Sequence, residues 1–208
     1  MKGDIPIFSQ YKKFIDQYVK LNRLEWALIQ SKLKVHHYKK GEIIHCIGDV
    51  CRQLMFINTG VVRSYFLDPK GKDFTWSIYF NDEDSTISNV YLVDYDSFIN
   101  QKPSRMSFEV LEDCELVSTN YDDTQFIYAH SKKGERLGRL MAELAYSHIH
   151  NLIIDQNTRT ATERFLDFVE KTPYLAEKVP QYHIASYLGI APQSLSRLKK
   201  KLKSNLCE

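Results

Sequence analysis

The side chains with the clearest chemical potential lie near the carboxy end of the 208-residue sequence. If a helix starts at Pro192, its outward positions are all polar or basic, without an acid: Gln193, Ser194, Ser196, Arg197, Lys199, Lys200, Lys201 and Lys203. Arginine can donate two hydrogen bonds to guanine and glutamine suits adenine, whereas lysine contacts phosphate. We therefore predict a surface for double-stranded DNA, with Gln193, Ser194 and Arg197 at the base edges. Phosphate contacts are assigned to Ser196, Lys199, Lys200 and Lys203.

Such a surface needs two helices that cross closely, and the preceding residues suit that arrangement. Ala185 is small enough for a helix crossing, and Gly189 tolerates the positive φ of a tight turn. Pro192 suits the first turn of a helix, where a missing N–H loses no partner. The predicted helix-turn-helix core comprises Ile184, Ala185, Leu188, Gly189, Ile190, Leu195 and Leu198. A plain amphipathic helix pair is the alternative, but it requires neither the small crossing residue nor an acid-free outer face.

The sequence upstream of this pair changes its hydrophobic period. Residues 9–34 have apolar side chains at helical spacing and predict one or two short helices. From Val35 to about Tyr121, short runs rich in Val, Ile, Phe and Tyr alternate with turn signals about every ten residues. The predicted turns lie at Gly41, Gly48–Asp49, Gly60 and Asp68–Gly71. Short strands separated by turns at such regular spacing predict an antiparallel sandwich or barrel.

A third pattern follows His130 and predicts one long helix. Its stripe recurs at steps of three and four residues and comprises Leu137, Leu140, Met141, Leu144, His148 and Leu152. The length of this helix and its position between two domains favour a dimer seam over packing on the chain's own core. We therefore predict a β-domain with amino-terminal helices at 1–130, a dimerisation helix at 131–157 and a helix-turn-helix domain at 158–208.

Charge is distributed unevenly, although the formal net charge is only +2. Residues 159–208 carry nine Lys/Arg against five Asp/Glu, whereas residues 81–123 carry two against eleven. The carboxy-terminal part should therefore attract polyanions, and the acidic middle should repel them.

No apolar run approaches the roughly 18 residues of a membrane span, and the first residues lack the apolar core of a secretion signal. We expect a cytoplasmic protein, without membrane contact, whose four cysteines stay reduced.

The order of these parts resembles the Crp/Fnr transcription regulators. The stretch YKKGEIIHCIGD is similar to the first β-roll hairpin of that family, with a Lys-Gly-Glu turn followed by a Gly-Asp turn. LMFINTGVVRSYFLDPKGKDFTWSIYF resembles its central strands, and VPQYHIASYLGIAPQSLSRLKKKL resembles its helix-turn-helix, including the Leu-Ser-Arg of the second helix. The resemblance covers nearly the whole chain.

Fold and function follow from this resemblance as expectations. It implies an α+β fold with an amino-terminal antiparallel, jelly-roll-like β-roll, a long dimerisation helix and a carboxy-terminal helix-turn-helix. It also implies a homodimeric regulator, not an enzyme, that binds a two-fold-symmetric operator. Binding of an effector to the roll would then change the position of the second helix of the helix-turn-helix. RNA polymerase is a further candidate partner.

The segment that should hold a cyclic nucleotide departs from the family pattern. Members that bind this ligand have a phosphate cassette with a Gly-Glu pair, then an Arg followed by a small residue. Here the stretch between Phe80 and Arg105 contains five acids and no glycine, and Met106 follows Arg105. Because an acidic loop without glycine offers a phosphate neither the backbone amides of a Gly-rich loop nor a positive field, we predict no cyclic nucleotide cofactor. Binding of an unknown small effector remains an alternative, and Arg105 and Trp76 are weak candidates for its pocket. For Trp76, the preferred interpretation is that it fills the core.

Two further departures concern other branches of the family. Oxygen-sensing members hold an iron–sulfur cluster, but Cys46 and Cys51 alone cannot complete a four-thiolate site. Many members continue into a β-wing after the second helix, whereas only KSNLCE remains here from Lys203 onward. The sequence therefore predicts neither a cluster nor a wing contact.

Other classes of function remain as alternatives. A metal-dependent enzyme of the cupin type would use His36, His37, Glu42 and His45. Adjacent histidines on a strand point to opposite faces, so His36 and His37 cannot both enter the roll, and we predict no metal site. The roll could also be a ligand- or protein-binding module whose helix pair serves only dimerisation. Two further alternatives are DNA-binding regulators. In one the roll binds no effector, and in the other it responds to a cyclic nucleotide.

Overall fold

The computed structural model of the chain describes residues 7–83, 85 and 89–205, with side chains described up to Lys200. Within these ranges the helices are α1 (Ser9–Ile15), α2 (Arg23–Gln30), α3 (Tyr95–Asn100), α4 (Tyr121–His130), α5 (Lys132–Thr158), α6 (Ala161–Lys171), α7 (Pro173–Lys178), α8 (Gln181–Tyr187) and α9 (Pro192–Asn205). The strands are β1 (Lys34–Tyr38), β2 (Ile43–His45), β3 (Gln53–Leu67), β4 (Asp73–Phe80), β5 (Tyr91–Leu92) and β6 (Ser107–Asn120).

Two long strands form the centre of the β-roll. β3 and β6 pair antiparallel from Gln53 opposite Asn120 to Tyr65 opposite Ser107. The sheet order is β1-β6-β3-β4, with β2 also paired to β6 and β5 to β3. The predicted turns at Gly41, Gly48 and Gly71 lie between consecutive strands.

Gly60 corrects one predicted turn, because it lies inside β3 rather than between two strands. Register shifts on both sides of Thr59 mark an irregularity in the pairing at this point. Gly60 has a φ of +92°, and a Cβ here would lie 2.5 Å from the main-chain oxygen of Asp113. Since side chains rarely adopt such a φ and would clash here, glycine permits the bulge that helps the strand pair to curl.

The first half of α5 packs on the core of its own chain. Leu137 and Met141 are 6% and 5% exposed and belong to an apolar cluster with residues of α1, α2 and β3, while Leu140 packs against the same cluster. Side chains buried in their own domain do not contact a second copy. The structure therefore corrects the predicted dimer seam at Leu137 and Met141, whereas Leu140 and Leu152 are half-buried and Leu144 and His148 are exposed.

The carboxy-terminal helices pack directly on the roll. A capping box at Thr160 and Glu163 starts α6, two residues after α5 ends. One apolar cluster combines Ile78 and Phe80 of β4 with residues of the carboxy-terminal helices and the positions that end them: Phe165, Phe168, Leu175, Val179, Ile184, Leu188 and Leu195. The predicted α+β fold, with an antiparallel roll, a long helix and carboxy-terminal helices, is confirmed.

Candidate nucleic-acid interface

The turn between α8 and α9 is fixed by backbone hydrogen bonds that only a left-handed residue permits. The N–H of Ile190 donates to the oxygen of Ala185 at 2.9 Å, and the N–H of Gly189 donates to that of Ser186 at 3.0 Å. These two bonds, with Gly189 at φ +69°, form a Schellman motif at the end of α8. Pro192 then occupies the first position of α9. The sequence thus sets the angle between the two helices through Gly189.

The inward side chains of this helix pair lie in the core. Ile184 and Ala185 are fully buried, and Leu188 and Leu195 are 4% and 1% exposed. Ile190 and Leu198 are half-buried and pack against the same cluster. Because Ile184 and Ala185 anchor α8, and Leu195 of α9 is buried in the same cluster, the two helices pack on one common core.

The outward side chains of α9 form one exposed stripe. Gln193, Ser196, Arg197 and Lys200 are all exposed and stand at helical spacings of three and four residues. We name these four residues the α9 stripe. It combines hydrogen-bonding side chains near the start of the helix with a cation one turn further on, which is the arrangement that recognition helices use in the major groove.

Three other predicted contact residues stand apart from the stripe. Ser194 is half-buried on the flank of α9, so Ser196 takes the outward position near the helix start. Lys199 is half-buried on the other flank. The backbone of Lys203 belongs to α9, but its side chain lies outside the described residues.

A hydrogen bond joins α8 to the exposed edge of the β-roll. β4 is the last strand of the sheet order, and among the described residues only Asn89 bridges its free side, at Phe80. The N–H of Thr75 in β4 donates to the hydroxyl of Ser186 in α8 at 2.9 Å. α8 thereby covers a sheet edge that would otherwise expose unpaired backbone groups.

A buried ion pair extends this contact into the roll. The Arg63 side chain, 5% exposed, donates to Asp73 at 2.5 Å and to Glu109 at 2.7 Å. The Tyr182 hydroxyl of α8 donates to the other oxygen of Asp73 at 2.6 Å. Burial raises the pKa of Asp73, but the hydrogen bonds from Tyr182 and Arg63 outweigh it and hold the pKa below the ordinary value. The helix pair therefore docks on a charged network of the roll.

A second polar contact holds α7 against β6. The Tyr174 hydroxyl and the Lys178 ammonium both donate to the carboxylate of Glu112, the latter at 2.9 Å. Together with the Arg63 network, this contact gives the helix-turn-helix a defined position on the roll. Neither contact was predicted from the sequence, because the partners of Tyr182 and Tyr174 lie 109 and 62 positions away.

The cassette segment of the roll presents a neutral serine inward. Ser104 is 4% exposed and donates a hydrogen bond to Asp94 at 2.7 Å. Asp94 also caps α3. Arg105, which follows Ser104 in the sequence, is exposed. The arginine that the sequence offered for a phosphate therefore faces solvent. Trp76 is half-buried and packs against Phe66, with ring centroids 5.5 Å apart.

The histidines of the first hairpin do not converge. His36 contacts the Ser118 hydroxyl at 2.9 Å, His37 is exposed, and His45 packs against the Phe108 ring. Within the part of the chain that the structure describes, there is no group of three or more His, Cys, Asp or Glu residues able to hold a metal ion. Cys51 and Cys114 are buried free thiols.

Comparison with known proteins agrees with this architecture. Residues 35–131, from β1 to the start of α5, match the family model of the cyclic nucleotide-binding domain. A domain of this kind followed by a long helix and a pair of crossing helices is the Crp/Fnr fold, and the predicted resemblance is confirmed for the fold. No curated protein matches the sequence.

Several solved structures share this fold over most of the chain. FixK2 from Bradyrhizobium japonicum is 18% identical with a TM-score of 0.70, and the match covers 83% of this chain and 85% of FixK2. A structure described as a Crp/Fnr-family transcriptional regulator from Eubacterium rectale is 20% identical, with a TM-score of 0.68 and coverage of 97% and 89%. The c-di-GMP-responsive regulator CLP from Xanthomonas campestris is 14% identical, with a TM-score of 0.63 and coverage of 88% and 93%. At such identities the similarity concerns the fold.

Among the described helices, none combines the length and apolar character that crossing a membrane requires.

Proposed function

We propose that the chain is a sequence-specific DNA-binding transcription regulator of Crp/Fnr type that acts in the cytoplasm as a homodimer. The observation that carries this proposal is the α9 stripe, an exposed and acid-free face on a helix anchored by a Schellman turn and a buried core. Gln193 and Arg197 contact bases in the major groove, and Lys200 contacts phosphate. No step in this function requires bond-breaking chemistry.

Two substitutions in the α9 stripe test this function. Arg197→Ala should weaken binding to the preferred duplex by about 1–3 kcal/mol and relax the preference at one base pair of each half-site. Lys200→Ala should weaken binding to all duplexes alike and make the salt dependence shallower, by about one unit of log K against log salt for each copy bound. Titrations of fluorescent duplexes at several salt concentrations measure both effects.

The same titration separates the proposal from its main alternative. A roll that binds a ligand or protein without contacting DNA predicts indifference to any duplex at low salt, where phosphate contacts are strongest. An equal loss on all sequences for Arg197→Ala would assign Arg197 to positioning and contradict its base contact. Arg23→Ala, at an exposed position on α2, is the matched control and should change neither affinity nor specificity.

We propose that the second half of α5 forms the dimer seam. Ala142, Tyr146, Ile149 and Ile153 recur at steps of four, three and four residues, which is the spacing of a coiled-coil seam. Tyr146 and Ile153 are 72% and 47% exposed in the single chain, although both could pack against a second copy. Residues buried against the chain's own roll, such as Leu137, lie on a different face of the helix.

Ile153→Glu should dissociate the dimer. A two-fold seam places two copies of the new carboxylate in an apolar contact, and the desolvation of unpaired charges should raise the dissociation constant by about 100-fold or more. Sedimentation equilibrium across a range of protein concentrations measures the change. Leu24→Glu, at an 81% exposed position on α2, is the matched control and should leave the dimer intact. Unchanged dimerisation of the Ile153 variant would contradict the seam.

The proposal includes a regulator that does not respond to cyclic AMP. With Ser104 facing inward, Asp94 buried and Arg105 exposed, the described residues of the cassette include no inward-facing cation, which disfavours a phosphate. Millimolar cyclic AMP should therefore leave the melting temperature unchanged, as should AMP, its acyclic control.

The match of residues 35–131 to the cyclic nucleotide-binding domain favours the second candidate, a cyclic-nucleotide-responsive regulator. That candidate predicts stabilisation by about 2.7 kcal/mol at a hundredfold excess over Kd, a shift of roughly 5–10 °C.

A further inference from the structure

Arg164 of α6 lies where the end of α5 meets the turn between α8 and α9. Its Nη1 group donates to the main-chain oxygens of Gln156 and Arg159 at 3.3 and 2.6 Å, and its Nη2 group donates to that of Leu188 at 2.9 Å. Gln156 belongs to the last turn of α5, Arg159 is the C-cap of α5, and Leu188 is the C-cap of α8. One side chain therefore bonds to the ends of two helices that are distant in the sequence.

Two of these carbonyls lack the donor that a continuing helix would give them. In an α-helix a main-chain oxygen accepts from the N–H group four residues later. For Leu188 that residue is Pro192, which has no N–H group. For Gln156 it is Thr160, whose N–H group instead donates to Oε2 of Glu163 at 2.8 Å. The guanidinium therefore satisfies carbonyls that the helix ends leave over, and its positive charge is stabilising at both helix C-termini.

The same hydrogen bonds join the proposed dimer seam to the helix that carries the α9 stripe. Gln156 stands three positions after Ile153, the last residue of the proposed seam, and Leu188 directly precedes the α8–α9 turn. The hydrogen bonds to the carboxylates of β4 and β6 hold α7 and α8 on the roll. Arg164 connects the helix pair to the dimer helix as well.

We propose that Arg164 is the positioning residue that fixes the direction of α9 relative to α5 and thereby sets the half-site spacing that the dimer accepts. The inference rests on the proposed DNA-binding homodimer, in which two α5 helices form the seam and each α9 enters one major groove. One additional base pair moves the half-sites apart by about 3.4 Å and rotates one against the other by about 35°. The planar guanidinium resists such a rotation, because its two Nη groups are held rigidly and bond to different helix ends.

The distance between α5 and α9 within one chain tests this role without any DNA. Spin labels at Asn151→Cys and Ser196→Cys, both exposed positions, report this distance by electron paramagnetic resonance. The labelled protein also carries Cys46→Ser and Cys207→Ser, so that the labels attach only at the chosen positions. Labelled chains are diluted with unlabelled protein, so that each dimer contains one labelled copy.

Wild type should give one narrow distance, and Arg164→Gln should give a broader distribution. Arg164→Lys keeps the charge, which favours folding, but one nitrogen replaces two that bond to different helix ends, so this variant should also broaden the distance. Arg139→Gln, at an exposed position on α5, is the matched control and should leave the distance narrow. A broad distance in the wild type, or a narrow one in either folded Arg164 variant, overturns the proposal.

Selection from random duplexes then measures the half-site spacing itself. Because a rigid dimer must twist the DNA to bind at a wrong spacing, wild type should prefer one spacing over its neighbours by about tenfold, and Arg164→Gln should reduce this preference to about threefold or less. The bases selected within each half-site should stay the same, since α9 is unchanged. A folded, dimeric Arg164→Gln that keeps the wild-type spacing preference also overturns the proposal. If wild type selects no sequence, the proposed function is contradicted instead, and the distance measurement still decides whether Arg164 positions α9.

Discussion

Arg63→Met is expected to lower the free energy of unfolding by about 3 kcal/mol, because it leaves two carboxylates without their cation. Arg63 is 4% exposed and bonds to both Asp73 and Glu109, whose side chains are 19% and 23% exposed. Asp73 also accepts from Tyr182, so the substitution should loosen α8 from the roll. The melting temperature should fall by roughly 10 °C in a calorimetric scan at neutral pH.

A matched control and the pH dependence distinguish this effect from a general loss of charge. Arg139→Met removes a cation from an exposed pair with Glu143, which should change stability by less than about 1 kcal/mol. The pKa of Asp73 is lowered in the folded protein, so the stabilisation is present above the pKa of the unfolded carboxyl. It is lost as the pH falls through the folded pKa. Wild type and Arg63→Met should therefore converge in stability under acidic conditions, and a constant difference down to pH 2 would contradict this account.

Gly60→Ala is expected to destabilise the roll by about 3 kcal/mol or more. The added methyl would lie 2.5 Å from the oxygen of Asp113 and 2.6 Å from the Cβ of Cys114, so the β3–β6 pair would have to move apart. The φ of +92° adds backbone strain of about 1–3 kcal/mol for any residue with a side chain. Urea unfolding measures the loss.

Gly71→Ala is the matched control for the clash. Gly71 also has a positive φ, +79°, but a Cβ there would have no atom within 4 Å. Its substitution should cost only the strain, about 1–2 kcal/mol. Equal losses for the two variants would show that backbone strain alone, rather than the close approach of β6, requires glycine in β3.

The sequence predicted the helix pair well because its signals are local. Gly189 and Pro192 determine a turn and a helix start through their own backbone preferences, whatever surrounds them. Gly60 shows the limit of the same reasoning, since a glycine with positive φ serves equally well in a turn and in a bulge inside a strand. Only the pairing of β3 with β6 distinguishes the two.

The face of α5 could not be assigned from its pattern alone. In the proposed dimer this helix has one apolar face for its own roll and another for the second copy, and both faces recur at steps of three and four residues. Leu137 and Met141 belong to the first face, whereas Tyr146 and Ile153 are exposed. The hydrogen bond from Tyr182 to Asp73 had no sequence signal, because the two residues lie 109 positions apart.

Selection of bound duplexes from random DNA by the purified protein, without added ligand, tests the central claim most directly. A homodimer with the α9 stripe in the major groove should enrich a palindrome whose half-sites lie about one helical turn apart. Arg197→Ala should lose the preference at one base pair of each half-site. If wild-type protein enriches no sequence, with or without cyclic AMP, the account of α9 as a base-contacting helix is contradicted.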